Sequence, residues 1–346
     1  MTYRRVRIDT FGGPEVLRVV EEPTLPEPGP GEVRVRVLAA SVSFTDTIIR
    51  QGSYPDLKDD PPITPGYDVV GVIDKLGPGA SKLAIGQNVA DLLMIGGYSE
   101  YLCLPEHGLV PVPDTVDPAE AASLILSYVT AYQLLHRKAE VQSGQRVLIH
   151  GGGGAVGSAL IQLGSLVDLE MYATGSAAKQ DHIADLGATP IDYTRDDFVE
   201  RIAELTGDGV DAVFDGVSLA NANRSYRTLR TRGTLAIYGA SNVDIGSGRG
   251  KAQSALGAAR LALRWVTTPR RHITGYSIRS LRTKYPDWFH QDLTALFELV
   301  AEGRIRPVID TRIDLDEIRS AHELIERASP RGRIVITMEQ QHDDPS

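Results

Sequence analysis

Gly152, Gly154 and Gly157 in the stretch HGGGGAVG satisfy the spacing GxGxxG, between a short apolar run, VLI, and a longer one of helical character, SALIQLG. At a strand-to-helix turn, glycines at this spacing allow a tight turn, close approach of the backbone to a pyrophosphate, and close packing of helix on strand. The helix N-terminus adds unpaired N–H groups and a partial positive charge that suit a phosphate. The chemistry implied is dinucleotide binding, and the alternative is a glycine-rich turn that carries no ligand. The next apolar run, LEMYATGSAAK, ends in Ala173, Thr174, Gly175 and Ser176 with no carboxylate. An acid at that point would bond the ribose 2′-hydroxyl of NAD and repel a 2′-phosphate, so its absence favours NADPH. Lys179 follows about one helical turn after Ser176, so hydroxyl and ammonium can both reach such a phosphate. Each charge-assisted bond is worth roughly 1.5–3 kcal/mol. The alternative is an N-cap serine beside a solvated lysine.

The elements that must position these residues fall into three regions. Residues 1 to about 123 hold short alternating runs (EVRVRVLAA, DVVGVIDKLG, YSEYLCLP) broken by Gly and Pro, which predicts an antiparallel, barrel-like β region. From about 124, AASLILSYVTAYQLLHRKAEV has helical apolar spacing. Strand candidates RVLIHG, LEMYAT, TPIDY, DAVFDG, TLAIYGA and HITGYSI then alternate with amphipathic helices such as KQDHIADLG and DFVERIAELTG. That alternation predicts right-handed crossovers and a doubly wound parallel sheet of Rossmann type. After about 281 come two helices (DLTALFELVAEGRI and LDEIRSAHELIERA) and a closing strand, GRIVITM; the tail EQQHDDPS reads as disordered.

Bulk properties narrow the function classes. A chain of 346 residues has room for two domains with separate cores, and 42% hydrophobic with 23% charged residues is ordinary for a globular protein. A net charge of −9 argues against general nucleic-acid binding. The single cysteine, Cys103, excludes an intramolecular disulfide and a cysteine-rich zinc site, and fits a reducing cytoplasm. MTYRRVRIDTFGG has no apolar stretch behind its basic residues and does not read as a signal peptide, and no apolar run is long enough for a transmembrane helix.

FGGPEVL near the start, PGYDVVGVI at 65–73, GGYSEYLCLP at 96–105, HGGGGAVG at 150–157, IDY at 191–193 and GRIVI at 332–336 together resemble the medium-chain dehydrogenase/reductase superfamily. Within it the chain is similar to the zinc-free quinone oxidoreductases of the zeta-crystallin type and their enoyl-reductase relatives. The resemblance implies a GroES-like β-barrel catalytic domain over 1–123 and 281–346, and an NADPH-binding Rossmann domain over 124–280. It implies that Lys179 and Tyr193 meet the NADPH 2′-phosphate, and that Thr130, Ala155, Val156, Gly239 and Ser241 line the pyrophosphate and nicotinamide. For Tyr193 the alternative is a strand-end aromatic packed on the sheet.

Zinc-dependent members place Cys, then His or a similar residue, then Asp in the turn after the long strand, with Gly-His-Glu downstream. Here the turn SVSFTD offers Ser43 and Asp46, and the downstream triplet is Gly66-Tyr67-Asp68, so thiolate and imidazole are both gone. Without a Lewis acid, an activated acceptor is expected: a quinone, or the C=C bond of an α,β-unsaturated carbonyl compound, thioesters included. Quinone oxidoreductases usually carry Asn where Ser43 stands. Ser43 is therefore a candidate both for a nicotinamide-side contact and as a proton donor, while Asp46 reads first as a helix-start residue. In RQGSYP, Tyr54 matches the tyrosine that enoyl reductases hold in a Gln-Gly-x-Tyr segment. The resemblance implies that Tyr54 donates a proton or hydrogen bond to the substrate, facing the nicotinamide across it. The alternative is a turn residue packed on the barrel rim, with Ser43 or water then supplying the proton.

The segment 243–290 is longer than in compact quinone oxidoreductases and carries Arg260, Arg264, Arg270 and Arg271 on an otherwise acidic chain. Vesicle-membrane relatives of the superfamily have a comparable extension. A non-catalytic NADPH-binding interaction protein that uses this segment is thus the alternative to an enzyme, and a solvated helix face is the simplest account of the arginines. The strand near HITGYSI would end the parallel sheet, and pairing of that edge with a second copy predicts a homodimer.

Overall fold

The computed structural model describes residues 1–239, 270–327 and 330–338. The chain divides into two units, Met1–Leu126 with Leu293–Ser346, and Ser127–Asp292.

The first unit is built on strands β1 (Tyr3–Arg7), β2 (Arg18–Glu22), β3 (Glu32–Val42), β4 (Asp68–Leu76), β5 (Asn88–Leu92), β6 (Tyr101–Pro105) and β7 (Val110–Pro111). In the second lie β8 (Arg146–Ile149), β9 (Glu170–Gly175), β10 (Thr189–Asp192), β11 (Val210–Asp215), β12 (Leu229–Ile237) and β13 (His272–Gly275). Strands β14 (Ile309–Ile313) and β15 (Arg333–Thr337) return to the first unit. β1 and β2 form a separate hairpin, and the larger sheet runs β14-β15-β3-β4-β5-β7 with β6 branching from β3. The antiparallel β region expected over the N-terminal residues is thus present, and bridges between Arg5 and Ser99 and between Ile8 and Ile63 tie the hairpin region to it.

The long strand β3 carries this branch. Its alternation buries Val33, Val35 and Val37 and turns Arg34 and Arg36 outward. Its register against β4 shifts twice, with Asp74 of β4 and Leu38 of β3 each left out of the pairing. Its first half, Glu32–Arg36, pairs with β6, and its second half, Ala39–Val42, pairs with β15. β3 ends at Val42, and the helix Phe44–Arg50 begins directly after the Ser43 turn.

The second unit is a six-stranded parallel sheet in the order β10-β9-β8-β11-β12-β13. Numbered from its own first strand, that is 3-2-1-4-5-6, the doubly wound order whose direction reverses between β8 and β11. In open α/β sheets, ligands bind at such a reversal, outside the carboxyl ends of the strands. Leu148, Tyr172, Ile191, Phe198, Ile202, Val213, Tyr226 and Leu235 form one core cluster of this unit. The apolar run expected to be helical over 121–141 forms helix from Pro118 to Lys138, with π-helical stretches at Leu124–Tyr128 and Leu134–Lys138. The helix Pro286–Ala301 belongs to this unit up to Asp292, whose carboxylate is held by Gln133 Nε2 at 2.8 Å and Arg137 Nη2 at 2.6 Å. Among the described residues, no helix is long and apolar enough to cross a membrane.

Candidate functional site

The glycine-rich turn sits at the carboxyl end of β8, and its shape requires glycine. Gly151 has φ +69°. A Cβ on Gly157 would lie 2.2 Å from Gly151 O and 2.7 Å from Gly152 Cα, and one on Gly152 would lie 2.7 Å from Ala173 Cβ. The helix Ala155–Ser165 starts directly after Gly154, which supplies no side-chain cap, while the Gly154 carbonyl accepts from Ser158 N at 2.8 Å. The first-turn amides, those of Ala155 and Val156 among them, therefore have no cap from Gly154 and suit an anion.

A buried file of hydrogen bonds fixes the turn from beneath. Gly151 N donates to Thr174 Oγ1 at 3.3 Å, which lies 3.1 Å from His150 Nδ1; His150 Nε2 lies 2.9 Å from Ser225 Oγ; Ser225 Oγ donates to Asp215 Oδ2 at 2.7 Å. Because Ser225 spends its proton on Asp215, it accepts from His150 Nε2, and His150 Nδ1 accepts from Thr174. That assigns a neutral imidazole with its proton on Nε2. Burial, which lowers the affinity of His150 for a second proton, agrees with that assignment. The file ties β8, β9 and β11 together at the reversal point of the sheet.

Ser176 and Lys179 flank a short 3-10 turn, in which Lys179 N donates to Ser176 O at 2.9 Å. Ser176 holds the N-cap place, but its side chain makes no capping bond. The Lys179 stem lies along Gly153, where a Cβ would come within 2.7 Å of Lys179 Cδ. The lysine thus crosses the glycine turn. Tyr193, just past β10, donates its N–H to Gly175 O at 3.3 Å, and with 58% of its surface exposed its ring is not packed on the sheet. Thr130 lies between the two π-helical stretches; the Tyr276 hydroxyl is 3.4 Å from its Oγ1 and 3.0 Å from Gln133 Oε1. Gly239 follows β12 with φ +76°. Ser241, Arg260 and Arg264 lie outside the described residues. Arg271 Nη1 donates to Tyr226 O at 2.9 Å, and Arg270 accepts Arg232 N on its carbonyl at 2.6 Å.

In the first unit, Ser43 and Asp46 form a capping box. Ser43 N donates to Asp46 Oδ2 at 2.8 Å, Ser43 Oγ donates to the same oxygen at 2.5 Å, and Asp46 N returns a bond to Ser43 Oγ. Both side chains are buried, so the Ser43 hydroxyl proton is committed to the cap. Asp68 is equally buried and accepts from Ser41 N at 2.7 Å and Ser41 Oγ at 2.5 Å. Burial pushes the Asp68 carboxyl up to about 7, opposed by the buried guanidinium of Arg333 and by the Ser41 bonds. Burial also raises Asp46, against its bonds from Ser43 and the pull of Arg333, and burial lowers Arg333 itself. Two carboxylates therefore depend on one guanidinium. Among the described residues, no three His, Cys, Asp or Glu side chains converge as a metal ion would need.

Tyr54 is half-buried on the turn after the helix Phe44–Arg50, and its hydroxyl lies 2.7 Å from the hydroxyl of Tyr67, ring edge to ring face with centroids 5.9 Å apart. Sequence reasoning passed over Tyr67, along with His150 and Arg333. His150 had a visible signal, a polar residue closing an apolar strand directly before the glycines. Arg333, read only as part of a closing strand, had none.

The chain matches two family models, an alcohol dehydrogenase GroES-like domain over residues 29–114 and a zinc-binding dehydrogenase domain over 186–336. It is 29% identical to a synaptic vesicle membrane protein VAT-1 homolog of Danio rerio, over 98% of this chain and 70% of that protein. It is also 29% identical to a quinone oxidoreductase of Pongo abelii, over 97% of this chain and 98% of that one. Among solved structures, a mycobacterial protein complexed with NADPH is 30% identical, with a TM-score of 0.81 over 97% of this chain and 99% of that one.

Proposed function

This chain belongs to the medium-chain dehydrogenase/reductases of the quinone oxidoreductase type, and from that premise we propose that it is an NADPH-dependent, zinc-independent reductase of quinones or of the C=C bond of enones and enoyl thioesters. The observation that carries the cofactor reading is the Lys179 stem lying against Gly153, where a Cβ would come within 2.7 Å of Lys179 Cδ. NADPH suits this cradle: the amides of Ala155 and Val156 would hold its pyrophosphate, and Ser176, Lys179 and Tyr193 its 2′-phosphate. Thr130, Gly239 and Ser241 would line the remainder. When bound, NADPH supplies hydride.

The protein's own residues supply the rest. The absence of a Cys/His donor set at Ser43 and Tyr67 favours acceptors whose charge delocalises without a Lewis acid. Tyr54 donates a hydrogen bond or a proton to the substrate; a phenol of ordinary pKa, about 10, is protonated at neutral pH. With its proton spent on Asp46, Ser43 organises the turn instead.

The test is NADPH consumption with a panel of quinones, enones and enoyl thioesters, after exhaustive chelation, with the natural chain and with Lys179→Ala. Turnover that survives chelation is expected, with NADPH KM raised about tenfold or more in Lys179→Ala and NADH KM little changed, as loss of one charge-assisted contact requires. Zinc lost together with activity would overturn zinc independence, and equal effects on both cofactors would remove Lys179 from the 2′-phosphate. NADPH binding without consumption of any acceptor would favour the interaction-protein alternative. We further propose a homodimer through β13, which ends the sheet order of the described strands. A monomer by light scattering at micromolar concentration would refute it.

A further inference from the structure

Tyr67 stands on one of the most firmly held backbone segments of its unit. The carbonyls of Thr64, Pro65, Gly66 and Tyr67 accept, in turn, from Gly96 N at 2.7 Å, Tyr98 N at 2.9 Å, Gly97 N at 3.1 Å and Leu93 N at 2.7 Å. Gly66 turns with φ +111°, and any Cβ there would lie 2.4 Å from Tyr98 N, so the backbone direction entering Tyr67 is dictated by a position that takes only glycine. The Tyr67 ring is 1% exposed. Tyr54 differs in every respect: it sits half-buried on a turn, its carbonyl accepting from Leu57 N at 3.1 Å. The hydroxyl–hydroxyl bond at 2.7 Å therefore joins a group on a turn to one on a fixed frame.

We infer that Tyr67 is a positioning residue for Tyr54, holding its phenol in place and stabilising the oxygen left when that phenol gives up its proton. The inference rests on the reading of Tyr54 as proton donor to a conjugated carbonyl substrate.

In the ground state either hydroxyl can donate to the other. Once Tyr54 has lost its proton, its oxygen can only accept, and the bond then runs from Tyr67 O–H to Tyr54 O⁻ whichever way it ran before. The bond to a charged acceptor is stronger than the neutral one, so Tyr67 favours the ionised form and makes Tyr54 a better acid. The reduction balances in full. NADPH, when bound, would supply hydride to the β-carbon, and the electrons of the C=C π bond would take up the proton at the α-carbon. The Tyr54 O–H bond breaks to place a proton on the α-carbon, and the half-buried Tyr54 oxygen recovers its proton from water. Tyr67 keeps its own proton throughout.

The experiment uses Tyr67→Phe, which removes one oxygen from a ring that stays in place, and a chain carrying 3-fluorotyrosine at position 67, a stronger donor of similar shape. The first readout is the titration of Tyr54 by carbon NMR of ring-labelled tyrosine, without cofactor or substrate. The midpoint is expected to rise by about one pH unit or more in Tyr67→Phe, as loss of a hydrogen bond to a charged acceptor requires, and with the fluorinated ring the first ionisation of the Tyr54–Tyr67 pair should fall. The second is the pH profile of kcat for an enone. Its alkaline limb should move in the same directions, with kcat about tenfold lower in Tyr67→Phe at neutral pH, KM little changed, and no further loss when Tyr67→Phe is added to Tyr54→Phe.

The outcomes separate the two readings. If the Tyr54 midpoint moves in neither variant, the inference about Tyr67 is overturned while Tyr54 stands. A moved midpoint with unchanged enone turnover overturns the role of Tyr67 in the reaction. Should Tyr54→Phe itself leave enone turnover intact, the reading of Tyr54 as donor falls, and the role of Tyr67 in turnover with it.

Discussion

Replacing Tyr54 by Phe should lower kcat for an enone at least about tenfold, and up to the hundredfold or more that general acid help is worth, while NADPH binding and quinone turnover change little. The two acceptors differ in where charge settles. Reduction of an enone leaves a carbon that must take a proton, and carbon is slow to take one from bulk water. A reduced quinone carries its charge on oxygens, which water protonates readily. The Tyr54 hydroxyl lies 2.7 Å from that of Tyr67, and the residue is only half-buried. Ser43, the other candidate donor, already donates to Asp46 at 2.5 Å. Stopped-flow rates for the two acceptors would decide the matter. An enone rate that does not change would remove Tyr54 from the chemistry, and an equal loss on both acceptors would mean that the variant disturbs binding instead.

Arg333→Met should destabilise the protein by roughly 3–5 kcal/mol, the usual cost of removing one member of a buried ionic group. Asp46 and Asp68 are both fully buried, and besides its Ser43 bonds Asp46 has the buried Tyr98 hydroxyl beside it. Arg333 is the cation whose attraction opposes their burial. The loss should depend on pH with a definite sign. The Asp68 carboxyl is pushed up to about 7 by burial, above its unfolded value. A raised carboxyl favours the folded state most fully at acid pH, below the unfolded value, and that contribution is lost as pH rises through about 7. Without Arg333 the carboxyls rise further, so the deficit should be largest near about pH 8.5 and smaller near about pH 5.5, where a carboxyl can bind a proton instead. Asp46→Asn leaves one carboxylate for one guanidinium and should cost much less. Urea midpoints of the three proteins at both pH values test this; a pH-independent deficit in Arg333→Met would show that packing, not charge, governs the site.

Legibility followed sequence distance. The glycine turn is encoded within a few residues, because each glycine answers a local steric demand, and the strand and helix around it follow from short apolar runs. The strand end at Gly175 and the short turn Ala177–Lys179 after it were legible for the same reason. The Arg333 group was not, since Ser41, Asp46, Asp68 and Arg333 come from β3, a helix, β4 and β15, and only strand pairing across the chain brings them together. The Tyr54–Tyr67 bond is closer in sequence, yet it depends on the unusual backbone at Gly66, which residue type alone suggests but does not aim. The register shifts between β3 and β4 were not legible, because EVRVRVLAASV alternates without marking where a residue drops out of register.

The first unit is made from both ends of the chain, and this orders events during synthesis. The second unit is one continuous stretch, Ser127–Asp292, and every strand of its sheet is available as soon as that stretch has left the ribosome. The strands before it emerge earlier but must wait: the second half of β3 has its place beside β15, Arg333–Thr337, which follows the whole of the second unit in sequence. Until then the growing chain carries a bare strand edge at Ala39–Val42 and two acidic side chains whose buried counter-charge has not yet been translated. β3 therefore spends the synthesis of the whole second unit with that edge bare, and is exposed to other nascent strands until β15 arrives.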